Sequence, residues 1–256
     1  MTSINTQTAL FDYLLKIADD RLILGHRLSE TCGHGPILEE DIATTNIALD
    51  LIGQANYLLE YAAKVEEKDR TADDLAFLRD EKYFTNILLC EQDNTDFAYM
   101  IARQFFFDTF AYLQFSQLRE SKDSTLSALA KRSFKEITYH LRHSSQWMLR
   151  LGDGTAESNE KLQEAIDYLW MFTGEMFEQT EADQLLISEE IIFDTTKFKD
   201  EWFANINTVL TEATLKTVNK DEFMQTGGRK GNHTEYLGHI LAEMQNLQRS
   251  YPNAQW

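Results

Sequence analysis

Acidic and imidazole side chains recur along this chain at spacings that suit metal chemistry. Asp20 and Asp50 lie 30 residues apart, the separation expected for facing positions on adjacent antiparallel helices. The stretch KEITYHLRHS places Glu136, His140 and His143 within two helical turns. Carboxylate oxygens and imidazole nitrogens are the ligands that a di-iron centre takes from a helical bundle. These residues are therefore the first candidates for metal chemistry.

The set is incomplete when it is compared with the pattern that two irons require. A di-iron carboxylate bundle takes one Glu or Asp from each of two helices and a Glu-x-x-His pair from each of the other two. Three residues after Asp50 the chain has Gly53, and three residues after Glu136 it has Tyr139. On the helix before Glu136 the nearest carboxylate is Asp108, more than a turn from the expected position. The pattern indicates a degenerate metal site.

The same residues also have structural interpretations. Asp50 can be a carboxylate paired with an Arg, Lys or His of a facing helix, and this is favoured over metal binding. For His140 and His143 a hydrogen-bonded pair, wholly or partly buried, is favoured. A metal bound weakly by Glu136 and the two histidines is the alternative.

The composition excludes several classes of function. The chain has 42 acidic and 24 basic residues, a formal net charge of -18, so the phosphates of nucleic acids and anionic membranes would be repelled. Cys32 and Cys90 lack the spacing of a disulfide framework or a zinc site. The N-terminal residues lack a basic start and an apolar signal core, and no apolar run reaches membrane-spanning length. A cytoplasmic location is expected.

Long helices must position these residues. Only 2 prolines and 11 glycines interrupt the chain, which predicts an all-α fold. The apolar periodicity predicts helices over about 7–30, 38–65, 93–119, 124–151, 156–181, 200–217 and 234–249. We expect a single domain over residues 1–256, with a four-helix core bundle over about 7–151 and appended helices over about 156–249. The aromatic stretch RQFFFDTFAYLQF is expected in the core or a subunit interface.

A glycine-rich loop precedes the last predicted helix. The stretch GGRKG, with Arg229 and Lys230, could bind phosphate, but a solvated hinge is the expected role. Asn232 and Glu235 stand at the spacing of a helix capping box. Whether residues 227–239 contact a ligand, a partner or neither stays open from the sequence.

Three long stretches resemble one protein family. They are LILGHRLSETCGHGPILEEDIATTNIALDLIGQA, KEITYHLRHSSQWMLRLGDGT and GGRKGNHTEYLGHILAEMQNLQR. They resemble the structural C subunits of the phenylacetyl-CoA epoxidases, multicomponent monooxygenases that epoxidise the aromatic ring in bacterial phenylacetate degradation. The resemblance extends over nearly the whole chain. It implies a ferritin-like up-down four-helix bundle with additional C-terminal helices.

The resemblance also implies the partners and the division of labour. It implies a heterodimer with a catalytic A subunit that holds the di-iron centre and the aromatic thioester, a small B subunit that bridges such dimers, and a reductase. No cofactor and no catalytic residue are then expected in this chain. The positions of a lost metal site would be Asp20, Asp50, Gly53, Glu136, Tyr139, His140 and His143.

Two other functions stay open from the sequence. The chain could be an oxidase in its own right, with two irons or a single metal held by Glu136, His140, His143 and either Asp50 or Asp108. It could also be a free-standing helical interaction protein. Without a partner, the isolated chain could form a homodimer.

Overall fold

The structure, a computed structural model, describes residues 4–252 and is all-α over that range, as the sequence predicts. The helices are α1 (Thr6–Ser29), α2 (Leu38–Glu66), α3 (Ala72–Phe77), α4 (Leu88–Glu91), α5 (Phe97–Leu118), α6 (Ser124–Gly152), α7 (Ala156–Leu169), α8 (Glu181–Ser188), α9 (Lys199–Glu212), α10 (Glu235–Met244) and α11 (Asn246–Ser250). Among the described residues, none of these helices combines the length and apolarity needed to cross a membrane. The four long predicted helices correspond to α1, α2, α5 and α6.

The chain divides into two compact units. Within the described range, unit 1 comprises residues 4–93, 179–186 and 227–252, and unit 2 comprises residues 94–178 and 187–226. Each unit is built on one pair of long helices that are adjacent in sequence. The expectation of a single domain over residues 1–256 stays a prediction.

In unit 1, α1 and α2 form an antiparallel pair. Near one end of the pair, Gln7 Nε2 donates a hydrogen bond to the carbonyl of Val65 at 2.6 Å. Near the other end, a Cβ at Gly25 would lie 2.9 Å from Ile52 Cγ1, so the glycine allows the two helices to approach closely. The side chain of Asn5 starts α1 by accepting a hydrogen bond from the backbone N–H of Thr8.

In unit 2, α5 and α6 form a second antiparallel pair. The side chain of Asp123 starts α6 by accepting from the N–H of Leu126 at 2.8 Å. The rings of Tyr112 and Phe134 lie 5.1 Å apart, and those of Phe97 and Trp147 lie 4.9 Å apart. Residues early in α5 therefore face residues late in α6.

An aromatic cluster forms the core of unit 2. The rings of Trp170 and Trp202 stack with centroids 5.6 Å apart and an interplanar angle of 13°. Trp202 Nε1 donates to the carbonyl of Phe106 at 3.2 Å, and Phe110 packs edge-on against Phe177. Because Phe106 and Phe110 are buried, the aromatic stretch of α5 is core, one of its two expected roles.

Helix α7 ends at Leu169, whereas the periodicity predicts a helix over about 156–181. Two short 3₁₀ turns follow it. The hydroxyl of Thr173 donates to the carbonyl of Trp170 at 2.8 Å. Such a side-chain hydrogen bond competes with the backbone ladder of a helix, and periodicity does not reveal it.

The two helices predicted nearest the C-terminus also differ from the prediction. The helix predicted near 200–217 ends at Glu212, and Thr214 has a φ of 59°, in the left-handed region. The helix predicted over 234–249 is divided at Gln245 into α10 and α11. The helical spacing of apolar residues continues past Glu212 and past Gln245, so the sequence pattern does not show that a helix ends at either residue.

Candidate functional site

The candidate residues lie in both units. Asp20, Asp50 and Gly53 belong to unit 1, on α1 and α2. The candidates of unit 2 are Asp108 on α5 and Glu136, Tyr139, His140 and His143 on α6. Each group has its own hydrogen-bond network.

Asp20 is buried and is held by a guanidinium. Arg229 Nη1 lies 2.9 Å from Asp20 Oδ1, and Arg229 Nη2 lies 2.8 Å from Asp20 Oδ2. The backbone N–H of Ile87 donates to Oδ1 at 2.9 Å. A bidentate contact between a guanidinium and a carboxylate is among the strongest charge-assisted hydrogen-bond arrangements in proteins. Both carboxylate oxygens of Asp20 therefore face N–H donors.

The expectation of a solvated hinge at GGRKG is wrong. The side chain of Arg229 is only 6% exposed, and it also donates to the carbonyl of Thr85 at 2.8 Å. Lys230 is exposed. The loop therefore places one cation inside unit 1, where it pairs with Asp20.

The loop geometry depends on two glycines. Gly227 and Gly231 have φ values of 151° and 75°, which L side chains rarely adopt. The N–H of Asn232 donates to the carbonyl of Gly227 at 3.0 Å and closes the loop. The predicted capping box of Asn232 and Glu235 is wrong, because Thr234 is the N-cap of α10 and makes no side-chain cap hydrogen bond.

Asp19, beside Asp20 on α1, has a similar environment. It is fully buried and pairs with both terminal nitrogens of Arg79, one of them at 3.0 Å. The N–H of Thr85 donates to the same carboxylate at 2.9 Å. Asp19 and Asp20 thus fix the segment before α4 to helix α1.

A third buried carboxylate, Glu91 of α4, pairs with His233. His233 Nδ1 lies 2.9 Å from Glu91 Oε2, and His233 Nε2 lies 2.9 Å from the carbonyl of Phe84. The N–H of Thr234 donates to Glu91 Oε1 at 2.7 Å. Since both ring nitrogens face acceptors, the doubly protonated imidazolium satisfies both contacts. Burial alone would lower the pKa of His233, but the hydrogen bond and charge of Glu91 and the Phe84 carbonyl raise that pKa above 6.5.

We expect His233 to make the stability of the protein depend on pH. Because the folded-state pKa is raised, its stabilising contribution is complete below pH 6.5 and is lost as pH rises through the folded-state pKa. Urea unfolding should show a steeper alkaline loss of stability in the wild type than in His233→Gln. The exposed His34 provides a control, and His34→Gln should follow the wild-type profile. Parallel profiles for the wild type and His233→Gln would contradict the assignment.

Four residues of α2 lie along one stripe of the helix, Asn46, Asp50, Gly53 and Gln54, and they are divided between the core and the surface. Gln54 is buried and accepts from Arg21 Nε at 3.2 Å, whereas Asn46 is exposed. Asp50 and Gly53 are half-buried, and a Cβ added at Gly53 would meet no atom within 4 Å. Packing within the chain therefore does not require a glycine there.

Arg21 is a polar core residue that the sequence reasoning missed. It is fully buried on α1 and donates to the carbonyl of Ile17 at 2.8 Å as well as to Gln54. Burial lowers the pKa of this guanidinium to about 10. The sequence signal for a buried cation is the position of this arginine beside the apolar residues of RLILG. Arg21 places a positive charge between α1 and α2 at the level of Gln54.

In unit 2, Asp108 is buried between α5 and α6. Gln104 Nε2 donates to Asp108 Oδ1 at 2.7 Å, and Ser144 Oγ donates to Asp108 Oδ2 at 2.8 Å. Burial raises the pKa of Asp108 to about 6, although His140, Ser144 and Gln104 act in the opposite direction. The sequence indicates the carboxylate as a candidate, whereas its hydroxyl and amide donors are visible only in the structure.

The four candidates on α6 are spaced i, i+3, i+4 and i+7 and share one broad side of the helix, but they differ in burial. His140 is buried, whereas Glu136 and His143 are half-buried. Tyr139 is 39% exposed, and its ring lies 6.1 Å from that of His143. The assignment of these positions and of Asp20, Asp50 and Gly53 to a lost metal site stays a prediction.

The donors within each unit do not fit a di-iron centre. In residues 4–252, no group of three or more His, Cys, Asp or Glu side chains is arranged to hold a metal ion. Asp20 accepts from a guanidinium, whose charge disfavours a second cation at the same oxygens. Asp108 accepts from two neutral donors, Gln104 and Ser144, one on each of its oxygens.

Antiparallel helix pairs with buried carboxylates place the chain among the all-α proteins that carry polar groups in their helical interiors. The chain belongs to the family whose model is described as "Phenylacetic acid catabolic protein", which matches residues 1–256. The fold of this family is ferritin-like and helical, so the predicted fold class is confirmed.

A curated relative agrees with this assignment. The chain is similar to the C subunit of the 1,2-phenylacetyl-CoA epoxidase of Escherichia coli (strain K12), with 48% identity over 245 residues. The match covers 95% of this chain and 98% of the relative. The resemblance inferred from the sequence is therefore confirmed, and the relative's name describes it as one subunit of an epoxidase.

Proposed function

We propose that this chain is a cytoplasmic, non-catalytic structural subunit of a phenylacetyl-CoA epoxidase and supports the di-iron catalytic A subunit in phenylacetate degradation. The similarity to an epoxidase C subunit over 95% of the chain supports the choice of complex. The observation that carries the non-catalytic role is the pairing of Asp20 with Arg229, because a carboxylate with a guanidinium on both oxygens is not available to a metal.

Under this proposal the buried polar residues of this chain stabilise its fold and take no part in catalysis. A di-iron centre in the A subunit would supply the activation of oxygen. Asp19, Asp20 and Glu91 would fix the segments around α4 and α10 on helix α1, so that unit 1 presents a rigid surface. The bridging B subunit and the reductase would complete the complex.

The exposed apolar side chains of α2 are evidence for a stable interface with a protein partner. Leu38, Ile42 and Leu49 are 70%, 52% and 62% exposed. Their spacing of four and seven residues places them on one side of the helix. Gly53, one turn beyond Leu49, leaves open space beside this apolar stripe. Burying an apolar side chain of this size yields about 1.5–3 kcal/mol, which favours a hydrophobic, obligate interface with the A subunit.

Co-expression with the A subunit tests this function. The double variant Ile42→Asp/Leu49→Asp should abolish co-elution of the two proteins in size-exclusion chromatography, because two carboxylates would be buried without partners. The matched control is Phe223→Asp/Leu247→Asp, which changes two exposed apolar residues elsewhere and should leave co-elution intact. Both variants should melt like the wild-type chain when isolated.

Metal content separates this function from an independent oxidase. Iron measured by elemental analysis should accompany the A subunit, and the isolated chain should contain a negligible amount after growth in iron-rich medium. Two irons per chain, or turnover of an aromatic CoA thioester by this chain alone, would contradict the proposal. An isolated chain that forms a homodimer through the α2 stripe, and loses it in Ile42→Asp/Leu49→Asp, would agree with it.

A further inference from the structure

Positive charge is concentrated on helix α6 of an otherwise acidic chain. Residues 124–152 hold five of the 24 basic residues and one of the 42 acidic residues. The rest of the chain has 19 basic and 41 acidic residues, so its formal net charge is -22 whereas that of α6 is +4. The basic residues of α6 are Lys131, Arg132, Lys135, Arg142 and Arg150. Such asymmetry favours a local electrostatic contact.

Four of these residues form one exposed strip, here called the basic strip: Lys131, Lys135, Arg142 and Arg150. Their spacings of four, seven and eight residues place them on one side of the helix. At 1.5 Å per residue the strip is about 29 Å long. Within residues 4–252, none of the four forms an ion pair with a carboxylate.

Aromatic rings hold the two arginines of the strip. The guanidinium carbon of Arg142 lies 5.6 Å from the ring centroid of Tyr139, which is exposed beside it. That of Arg150 lies 5.1 Å from the ring centroid of Trp147. Cation–π contacts restrict the arginine side chains, so less conformational entropy is lost when a partner binds. Arginine and tyrosine are enriched where proteins bind one another.

The chemistry of the basic strip favours an acidic protein over other anions. Unpaired cations one helical turn apart, such as Lys131 and Lys135, repel each other, and an acidic partner would remove that repulsion. A nucleic acid or an anionic membrane is a large polyanion that the remaining charge of -22 would repel. The four side chains stand on the outer face of a helix rather than in a cleft, which does not suit a small anion.

The basic strip also differs in kind from the apolar stripe of α2. Obligate interfaces are hydrophobic, whereas reversible encounters use charged surfaces that steer association. Epoxidation by molecular oxygen transfers one oxygen atom to the ring and reduces the other to water, which takes two electrons and two protons from a donor. Electron-transfer contacts between proteins are typically small, weak and reversible, so a charged surface suits a protein that delivers these electrons.

We propose that the basic strip docks an acidic face of the protein that delivers electrons to the assembled epoxidase, an inference that rests on the function proposed above. The docked protein binds through the attraction of opposite charges, and this attraction is weak enough for the protein to dissociate again. The contact therefore weakens as salt is added, and it uses a different helix from the α2 stripe that holds the A subunit.

Charge reversal on the strip tests the proposal. The test variant is Lys131→Glu/Lys135→Glu/Arg142→Glu in the purified complex with the A subunit. The control is Lys197→Glu/Lys199→Glu/Lys216→Glu, which reverses three exposed cations elsewhere and changes the net charge equally. The Kd for the purified reductase is measured by biolayer interferometry at low and high salt, and turnover is measured against reductase concentration.

We expect the strip variant to weaken reductase binding by about tenfold or more at low salt, and the control by less than about threefold. The reductase concentration for half-maximal turnover should rise with little change in the maximal rate. Equal effects of both triple variants, or wild-type binding that is insensitive to salt, would overturn the proposal. So would a strip that binds phosphatidylglycerol vesicles or single-stranded DNA but not the reductase.

The assembly step separates failure of this inference from failure of the proposed function. Both triple variants should co-elute with the A subunit and retain its iron, because neither variant changes a residue of the α2 stripe. If co-elution is intact and reductase binding is unaffected by the strip variant, only the docking inference is wrong. If the wild-type chain does not assemble with the A subunit, the proposed function is wrong, and so is the docking inference that rests on it.

Discussion

Asp20→Ala is expected to lower the free energy of unfolding by about 3–5 kcal/mol, because it leaves the guanidinium of Arg229 buried without its partner. Asp20 is 2% exposed, and both of its oxygens accept from Arg229. The change also removes the acceptor of the Ile87 N–H, so the segment before α4 loses an anchor on α1. Urea unfolding followed by circular dichroism measures the loss.

An exposed ion pair supplies the control for Asp20→Ala. Asp80 and Arg249 form a pair in unit 1 in which the side chains are 65% and 43% exposed. Asp80→Ala should therefore cost no more than about 1 kcal/mol. The double variant Asp20→Ala/Arg229→Met should be more stable than Asp20→Ala, since it removes the uncompensated charge. A cost of Asp20→Ala no larger than that of Asp80→Ala would contradict the structural role assigned to this pair.

The long helices could be predicted from the sequence because their signals are local. The apolar residues of α1 and α2 recur at helical spacing, which predicts each helix without reference to the rest of the fold. These signals lie within the element that they define. Short elements such as α4 were missed, because four residues do not carry a periodic pattern.

The buried pairs could not be predicted from the sequence because their partners are distant along the chain. Asp20 and Arg229 are 209 residues apart, and Glu91 and His233 are 142 residues apart. The local sequence predicts a solvated loop at Arg229, since glycine-rich loops are usually exposed. Only the structure shows that the side chain of Arg229 is buried within unit 1.

The orientation of α6 explains why its candidate residues differ in burial. Tyr139 and His140 are adjacent in sequence but point about 100° apart around the helix axis. Which of them is buried depends on how α5 and α9 pack against α6, and the spacing alone does not supply that. The structure buries His140 and exposes Tyr139 beside Arg142. The same helix therefore has a polar inner side near Asp108 and a basic outer side.

Trp202→Ala is expected to destabilise unit 2 by about 3–5 kcal/mol, the usual cost of truncating a buried aromatic residue. Trp202 is 2% exposed and stacks on Trp170. It also contacts Phe106 and Phe177, so its removal opens a cavity among several rings. Urea unfolding followed by far-ultraviolet circular dichroism measures the change. Phe223→Ala, at a position that is 74% exposed, should change stability by less than about 0.5 kcal/mol.

A second substitution separates packing from hydrogen bonding at this position. Trp202→Phe keeps an aromatic ring against Trp170 but removes the Nε1–H that donates to the Phe106 carbonyl. It should cost about 1–2 kcal/mol, clearly less than Trp202→Ala, because ring contacts carry most of the stabilisation. Equal costs for the two variants would show that the indole hydrogen bond dominates.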